Sequence, residues 1–342
     1  MVTLDVFRIF IVVLLSMFTS PSKLPQRSWG GEFVCRTFKR LTKESIGKPV
    51  TWIRTRQERL TAFSFDMLKV NKTFKYVAGV ACTSFMPKQV HDSDTVIIYL
   101  HGGGYVVGSV AVYALTMARI ALQTNAKVIA PEYRLAPEHA LPAAQDDCLA
   151  VTLQILNDVA NKDKKIILMG DSAGGGLCLS TLKSLNNIDK VKNIDGCVLI
   201  SPWLDATDNT WVEQKNEQYD ILGMDILSYI MGMIIKDKPT QEQYLNFMDM
   251  DVSKLPPLYI QAGSVEVLGK QISEFAARLE QANADYQYDV FEHQFHVFQV
   301  FAPLVKEEVE AIKRIGVFVA GVEFSNCELK NEPQSHLYSA KR

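Results

Sequence analysis

The segment at residues 165–185 constrains the fold more than any other part of this 342-residue chain. An apolar run at residues 165–169 leads into the motif G-D-S-A-G at residues 170–174, and a run rich in small residues follows it. This order predicts a buried strand, a sharp turn and a helix, with Ser172 at the apex of the turn. The two flanking glycines remove Cβ atoms where the strand and the helix crowd together. A hydroxyl placed there projects from the sheet, where a histidine can reach it.

A glycine-rich loop lies upstream of this turn. The motif H-G-G-G-Y at residues 101–105 follows a second apolar run, at residues 96–100. Consecutive glycines after a strand let backbone N–H groups turn toward a negative charge without obstruction by side chains. A plain glycine-rich turn and a phosphate-binding loop are the alternatives. The segment has neither Gly-Lys-Ser/Thr nor a G-x-G-x-x-G that opens a helix, so we expect donors for an oxyanion.

Five motifs within residues 75–320 make the chain resemble the hormone-sensitive-lipase-like branch of the α/β-hydrolase superfamily, the esterases similar to arylacetamide deacetylase and steryl acetyl hydrolase. They occur in the order typical of that family: H-G-G-G at residues 101–104, P-E-Y-R-L-A-P-E-H at residues 131–139, G-D-S-A-G-G at residues 170–175, S-P-W at residues 201–203 and A-G-S-V-E-V-L at residues 262–268. The resemblance implies an α/β fold with a mostly parallel central sheet flanked by helices, and a helical cap over the active site.

The alternation of strand-like and helix-like segments predicts the same fold class. Strands alternating with helices form a mostly parallel sheet with helices on both faces. The pattern predicts a helix at residues 112–124 and strands at residues 76–85, 95–100, 127–130, 165–169, 196–200, 258–261 and 286–291.

The same pattern, together with the resemblance, divides the chain into segments. We expect an apolar N-terminal segment at residues 1–20, the N-terminal part of the cap at residues 21–70, a catalytic domain at residues 71–204 and 255–322, a second cap segment at residues 205–254, and a polar tail at residues 323–342. The second cap segment is rich in methionine. These side chains either fill a core or line a pocket that accepts varied apolar shapes.

The apolar run near the start of the chain is too short to span a bilayer, which takes about twenty apolar residues. It also lacks a strong charged region before it and a good cleavage site after it, as a signal peptide would have. We expect an uncleaved helix that contacts a membrane or lipid-droplet surface or covers the acyl pocket, and packing on its own domain is the alternative. The localisation therefore stays open between the endoplasmic reticulum membrane and the cytoplasm.

Composition excludes several classes of partner. The formal net charge is −2, so no strong electric field favours nucleic acid. None of the six cysteines forms a C-x-x-C pair, which argues against a zinc site or a redox dithiol. We expect neither a metal nor a cofactor, and the oligomeric state stays open.

A serine nucleophile needs a general base, and the base needs an acceptor that fixes its tautomer. The family's pattern of His, an apolar residue and Phe matches residues 296–298, so the resemblance assigns the base to His296 rather than to nearby His293. It assigns the acid to Glu266, where the family usually has Asp, and a solvated loop carboxylate is the alternative. The order Ser172, Glu266, His296 is the order of nucleophile, acid and histidine in this superfamily.

The resemblance also implies the surroundings of the triad and the reaction. Backbone N–H groups of Gly102, Gly103 and Ala173 would hold the oxyanion, with support from His101, Gly104 and Asp171. The implied activity is hydrolysis of short-to-medium acyl esters of lipophilic alcohols, small apolar molecules, through an acyl-serine intermediate. An arylamide or steryl deacetylase with the same triad and a non-catalytic ligand-binding relative are the alternatives. The presence of His296 argues against the last of these.

Overall fold

One sheet lies at the centre of the molecule. The computed structural model describes residues 2–61, 66–235 and 243–322. The strands are β1 (Val70–Val77), β2 (Val80–Pro87), β3 (Thr95–Leu100), β4 (Lys127–Pro131), β5 (Lys165–Asp171), β6 (Gly196–Ile200), β7 (Leu258–Gly263) and β8 (Tyr286–Phe291). The helices are α1 (Val2–Thr19), α2 (Trp29–Ser45), α3 (Val50–Thr61), α4 (Ala114–Thr124), α5 (Ala143–Asn157), α6 (Ala173–Asn187), α7 (Met224–Ile234), α8 (Gly269–Gln281) and α9 (Glu307–Gly321).

The sheet is mostly parallel. Within the described residues it has eight strands, in the order β1-β2-β4-β3-β5-β6-β7-β8. The β1–β2 and β2–β4 pairs are antiparallel, and the remaining neighbours are parallel. The carboxyl ends of β3, β5, β7 and β8 therefore point to one edge of the sheet, where ligands bind in folds of this type. The predicted fold class is confirmed.

Alternating residues of the central strands enter two separate cores. In β3, Ile98 packs with α5, α6 and α8 on one face, and Ile97 packs with α4 and α9 on the other face. All residues of β6 and β7 are buried. This double burial explains why the strands are near-continuous apolar runs in the sequence, as expected for parallel strands covered on both faces.

The single strand predicted at residues 76–85 is wrong, because this stretch contains the turn of a hairpin. Ala78 and Gly79 have φ angles of 52° and 79°, and the flanking residues Val77 and Val80 pair in the register of β1 and β2. Two positive φ angles are typical of the tight turns that join antiparallel strands. The turn has Ala-Gly where Asn-Gly or Asp-Gly is the usual sequence, so the sequence gives little sign of it.

The N-terminal helices pack against one another through one face of α1. Val6, Ile9 and Val13 of α1 are buried together with Leu41 of α2. None of the helices in the described residues is both long enough and apolar enough to cross a lipid bilayer.

The residues between β6 and β7 include α7, which lies close to the glycine-rich loop. A Cβ atom at Gly104 would lie only 2.9 Å from Cγ2 of Ile230 in α7. The second cap segment predicted at residues 205–254 thus includes a helix that approaches the expected site. Residues 236–242 of that segment and the predicted tail at residues 323–342 lie outside the described residues.

A truncation in the middle of the sheet tests the assignment of the core. Ile167 is fully buried in β5, between β3 and β6. We expect Ile167→Ala to lower the free energy of unfolding by about 2–5 kcal/mol, because it leaves a cavity in a packed core. Urea denaturation measures this change.

The matched control is Ile188→Ala, since Ile188 is 50% exposed at the end of α6. Its expected effect is within about 0.5 kcal/mol. Equal losses of stability in the two variants would contradict the assignment of Ile167 to the core.

Candidate active site

Ser172 occupies the sharp turn between β5 and α6. Its φ is 53° and its ψ is −121°, a region that non-glycine residues seldom adopt. Its N–H donates to the carbonyl of Ile200 at 2.9 Å, and its carbonyl accepts from the N–H of Trp203 at 2.9 Å. These two bonds fix the main chain of the turn, so the hydroxyl is presented at the carboxyl edge of the sheet.

The turn requires glycine at residue 174 because α6 starts against the end of β3. A Cβ atom at Gly174 would overlap the carbonyl oxygen of Leu100 and would lie 2.7 Å from that of His101. Since both neighbours are main-chain atoms, they cannot move aside as a flexible side chain can. The motif glycine predicted to relieve crowding therefore does so.

His296 lies after β8, with its ring between Ser172 and Glu266. Its Nε2 is 2.9 Å from Oγ of Ser172, and its Nδ1 is 3.2 Å from Oε2 of Glu266. An ionised carboxylate only accepts hydrogen bonds, so Nδ1 carries the proton and Nε2 is left to accept from the serine hydroxyl. The structure thus brings the three predicted residues together in one chain of hydrogen bonds.

Glu266 is not a solvated loop carboxylate. Its side chain is fully buried, and its second oxygen, Oε1, accepts from Oγ of Ser201 and from the N–H of Gly263, both at 2.5 Å. Three donors thus face the two carboxylate oxygens and hold the side chain of Glu266 in one position.

The environment of His296 favours its protonated form. Burial alone lowers the pKa of an imidazole, but the hydrogen bond and the charge of Glu266 and then the charges of Asp220 and Asp171 outweigh it, so the pKa of His296 is raised above 6.5. A raised pKa suits a group that receives a proton.

The assignment of Gly102 as an oxyanion donor is wrong. Its N–H donates to Oδ1 of Asp171 at 2.9 Å and is therefore already engaged. Asp171 also accepts from the hydroxyls of Tyr99 and Tyr113, each at 2.9 Å, and it is fully buried. Its carboxylate thus holds the start of the glycine-rich loop, which is the supporting role predicted for it.

The main-chain N–H groups of the next two glycines of the loop remain available to bind an oxyanion. Gly103 and Gly104 have φ angles of 117° and 61°, which favour glycine. Within the described part of the chain, no acceptor is found for the N–H groups of Gly103, Gly104 or Ala173. The N–H of Ala173 belongs to the first turn of α6, where a helix attracts negative charge. The predicted donors Gly103 and Ala173 are consistent with this geometry, and Gly104 is a candidate in place of Gly102.

Comparison with known proteins agrees with the fold. Residues 97–300 match the model of a family described as alpha/beta hydrolase fold. The chain belongs to the α/β-hydrolase family. It is 30% identical over 230 residues to an esterase of Acinetobacter venetianus, covering 66% of this chain and 75% of the relative. It is 27% identical over 239 residues to an acetyl-hydrolase of Streptomyces hygroscopicus, covering 70% of this chain and 79% of the relative.

A solved esterase of the bacterial hormone-sensitive lipase family resembles this hydrolase over most of its length. The two share a TM-score of 0.74 and 30% sequence identity, with 82% of this chain and 95% of the other covered. The relatives place the hydrolase among the hormone-sensitive-lipase-like esterases, and its reaction class is the hydrolysis of carboxylic esters.

His101 of the hydrolase supports the glycine-rich loop from beneath. Its Nδ1 lies 2.8 Å from the carbonyl of Gly102, and its ring stacks on Tyr133 with centroids 4.4 Å apart. The Tyr133 hydroxyl donates to the carbonyl of His101 at 2.6 Å. Burial lowers the pKa of His101 to about 4, so its ring is neutral near pH 7. The predicted supporting role fits these contacts.

His293 lies away from the hydrogen-bonded chain of the site. Its main-chain N–H donates to Oγ of Ser264 at 2.8 Å and its carbonyl accepts from Nε of Arg27 at 2.8 Å. The described contacts place its ring on neither Ser172 nor Glu266, so the preference for His296 over His293 agrees with the geometry.

Two residues of the site were not predicted. Oγ of Ser201 donates to Glu266 and accepts from the N–H of Val297 at 3.2 Å, so it links the acid to the loop of the histidine. Asp220 is fully buried and accepts from the N–H of His296 at 2.9 Å. Ser201 lies in the S-P-W motif, which could have drawn attention to it. Asp220 belongs to the stretch before α7, which carries no recognised motif.

A proton titration tests the coupling between Glu266 and His296. We expect the NMR titration midpoint of the His296 ring to lie above the usual 6.5. Glu266→Gln should lower this midpoint, because the imidazolium loses the neighbouring negative charge while burial still disfavours it.

The measurement follows the carbon resonances of labelled histidine rings, and His296→Gln assigns the signal. The ring of His101 serves as an internal control and should stay neutral near pH 7 in both proteins. A His296 midpoint that Glu266→Gln leaves unmoved would contradict the described hydrogen bond.

Proposed function

We propose that the hydrolase cleaves carboxylic esters through an acyl-serine intermediate on Ser172, with His296 as general base and Glu266 as its acidic partner. The observation that supports this most is the unbroken chain of contacts from Oγ of Ser172 through the imidazole to the Glu266 carboxylate, at 2.9 and 3.2 Å. A serine hydroxyl is a weak nucleophile at neutral pH, and such a chain is how it is activated.

The reaction begins when His296 takes the hydroxyl proton of Ser172 and Oγ attacks the ester carbonyl. Glu266 stabilises the imidazolium and keeps Nδ1 as the donor. The imidazolium then gives its proton to the leaving alkoxide, which departs as the alcohol and leaves the acyl group on Ser172. Water activated by His296 attacks this acyl-serine, and the acid and the free serine are released.

The negative oxygen of each tetrahedral intermediate accepts hydrogen bonds from main-chain N–H groups. We assign these groups to Gly103, Gly104 and Ala173, because the N–H of Gly102 is held by Asp171. Donors fixed before the reaction stabilise charge that develops in the transition state, at about 3 kcal/mol for one donor. The buried bonds of Asp171 to Tyr99 and Tyr113 support this role, since they hold the loop in one conformation.

The substrate class is a short-to-medium acyl ester of a lipophilic alcohol. Ile230 of α7 lies against Gly104, and the partly buried Met231 and Met233 of the same helix pack against the core. The apolar side chain of Ile230 beside the glycine-rich loop favours an apolar substrate. The similarity to an acetyl-hydrolase supports a short acyl group. An arylamide deacetylase would use the same groups, but the curated relatives named esterase or carboxylesterase favour the ester.

Removal of the nucleophile tests the mechanism. We expect the wild type to hydrolyse 4-nitrophenyl acetate and butyrate, and Ser172→Ala to lose more than about 10³-fold in kcat, because no other group can form the acyl intermediate. The measurement is the release of nitrophenolate, together with mass spectrometry after reaction with a fluorophosphonate.

Ser180→Ala is the matched control, since Ser180 lies on α6 outside the chain of hydrogen bonds. It should keep the wild-type rate. Activity retained in Ser172→Ala, or fluorophosphonate attached to a different residue, would overturn the proposed nucleophile.

We also propose that the outer face of α1 contacts a lipid surface. Phe7, Leu15 and Phe18 are 62%, 60% and 80% exposed on this helix, opposite the face packed on α2 and α3. Adjacent α2 carries the basic side chains Arg36, Lys39, Arg40 and Lys43. An exposed apolar helix face beside basic side chains is typical of helices that lie in the interface of anionic membranes.

Replacement of two exposed aromatic side chains tests the lipid contact. We expect Phe7→Glu with Phe18→Glu to reduce co-flotation with vesicles of phosphatidylcholine and phosphatidylserine by more than about tenfold, because burial of each ring in lipid contributes roughly 1.5–3 kcal/mol.

The control variant carries Val309→Glu and Val317→Glu on α9, where both side chains are also exposed, at 59% and 67%. This variant should float as the wild type does. A wild type that stays unbound, or equal loss in the two double variants, would contradict the lipid contact.

A further inference from the structure

We propose that Asp220 is a positioning residue, whose carboxylate fixes His296 and Glu266 relative to each other, and that Arg27 holds the segment of Asp220 in place. This inference rests on the proposed function. Glu266 and His296 belong to two different loops, which follow β7 and β8, so their relative position is not set by one element of secondary structure.

The carboxylate of Asp220 joins the main chains of these two loops. Oδ1 accepts from the N–H of His296 at 2.9 Å, and Oδ2 accepts from the N–H of Val267, the residue after Glu266, at 2.7 Å. Oδ1 also accepts from the N–H of Ile221 at 2.7 Å, which holds the carboxylate to its own segment. Hydrogen bonds to an ionised acceptor are short and strong, and Asp220 is fully buried.

Asp220 comes from the segment between β6 and α7, and a second residue of this segment also contacts the acid loop. Nδ2 of Asn216 donates to the carbonyl of Glu266 at 2.9 Å. The segment therefore binds the main chain of Glu266 and Val267 in one loop and of His296 in the other. A displacement of this segment would change the distance between base and acid, although the segment itself touches no reacting atom.

Arg27 connects the same segment to the loop of the histidine. Its buried guanidinium donates from Nη2 to the carbonyl of Tyr219 at 2.6 Å and from Nε to the carbonyl of His293 at 2.8 Å. The thiol of Cys35 donates to the same carbonyl of Tyr219 at 3.2 Å. The N-terminal part of the chain thus braces the residue before Asp220 and the turn before His296 together.

Titratable groups from three parts of the chain surround Asp220, whose own pKa is raised by burial. Glu266 and His296 approach from the catalytic loops, Arg27, Cys35 and Lys39 from the N-terminal segment, and Glu32 lies beside Arg27. The negative charge of Asp220 raises the pKa of His296, after the larger effects of burial, which lowers it, and of Glu266, which raises it. Loss of this charge therefore changes the pH profile of the enzyme, which loss of a purely structural contact would not do.

The test is Asp220→Asn, which keeps the shape of the side chain. Asparagine has one acceptor oxygen, so its NH₂ group replaces either Oδ2 at the N–H of Val267 or Oδ1 at the N–H groups of His296 and Ile221, and it cannot accept from them. We expect kcat for 4-nitrophenyl acetate to fall about 10- to 100-fold with KM changed by less than about threefold, as for loss of alignment in the transition state. The acidic limb of the kcat/KM profile should move to lower pH, because the imidazolium loses a stabilising charge.

Asp147→Asn is the matched control. Asp147 is also a buried carboxylate that bonds a main-chain N–H, that of Arg134, at 2.9 Å, but it lies outside the site. It should keep kcat within about twofold of the wild-type value, and the acidic limb of its pH profile should not move. Arg27→Gln should lower kcat in the same direction as Asp220→Asn, and circular dichroism and the melting temperature establish that each variant is folded.

A folded Asp220→Asn protein with wild-type kcat, or with an unmoved acidic limb, would overturn the positioning role. If that variant does not fold, the test is made with Arg27→Gln. A folded Arg27→Gln protein whose kcat equals that of the wild type would also overturn the positioning role. Failure of the proposed function has a different signature, in which wild-type Ser172 resists fluorophosphonate or Ser172→Ala retains activity, whatever the behaviour of Asp220.

Discussion

The site depends on the close approach of the end of β3 to the first turn of α6. Gly174 permits this approach, because main-chain carbonyls of Leu100 and His101 occupy the space of a side chain at that position. The approach brings Asp171, at the end of β5, beneath the glycine-rich loop, where its carboxylate takes the N–H of Gly102. The same turn holds Ser172 between Ile200 and Trp203. One contact between two backbones therefore sets the nucleophile and the loop opposite it.

Local patterns were sufficient to predict the fold class, and the motifs with the family resemblance selected Ser172, Glu266 and His296, which the structure brings into contact. Each follows a strand of the sheet, and the carboxyl ends of parallel strands meet at one edge of a sheet. Gly102 was misassigned for a tertiary reason, since nothing in the sequence shows that Asp171 captures its N–H. The hairpin at Ala78 and Gly79 was missed because its turn lacks the usual residues. A contact between distant segments, such as that of Gly102 with Asp171, has no local pattern from which to predict it.

Three regions of the chain meet around the imidazole. The sheet supplies Ser172 and Glu266, the segment before α7 supplies Asp220, and the N-terminal part supplies Arg27. The groups that join these regions are charged and buried, so removal of any one leaves an unpaired partner in a water-poor interior. The N-terminal helices therefore contribute to the geometry around His296 as well as to the outer surface.

The two buried imidazoles beside the serine differ in their response to acid. Burial without an acidic neighbour keeps the ring of His101 uncharged well below neutrality, whereas the carboxylates around His296 make that ring the first to gain a proton. Mild acidification therefore adds a proton to His296 before it adds one to His101, but it also reaches Asp171, because burial raises the pKa of that carboxyl to about 6. Acid would thus weaken the carboxylate beneath the glycine-rich loop as well as charge the imidazole beside Ser172, while the ring of His101 stays neutral.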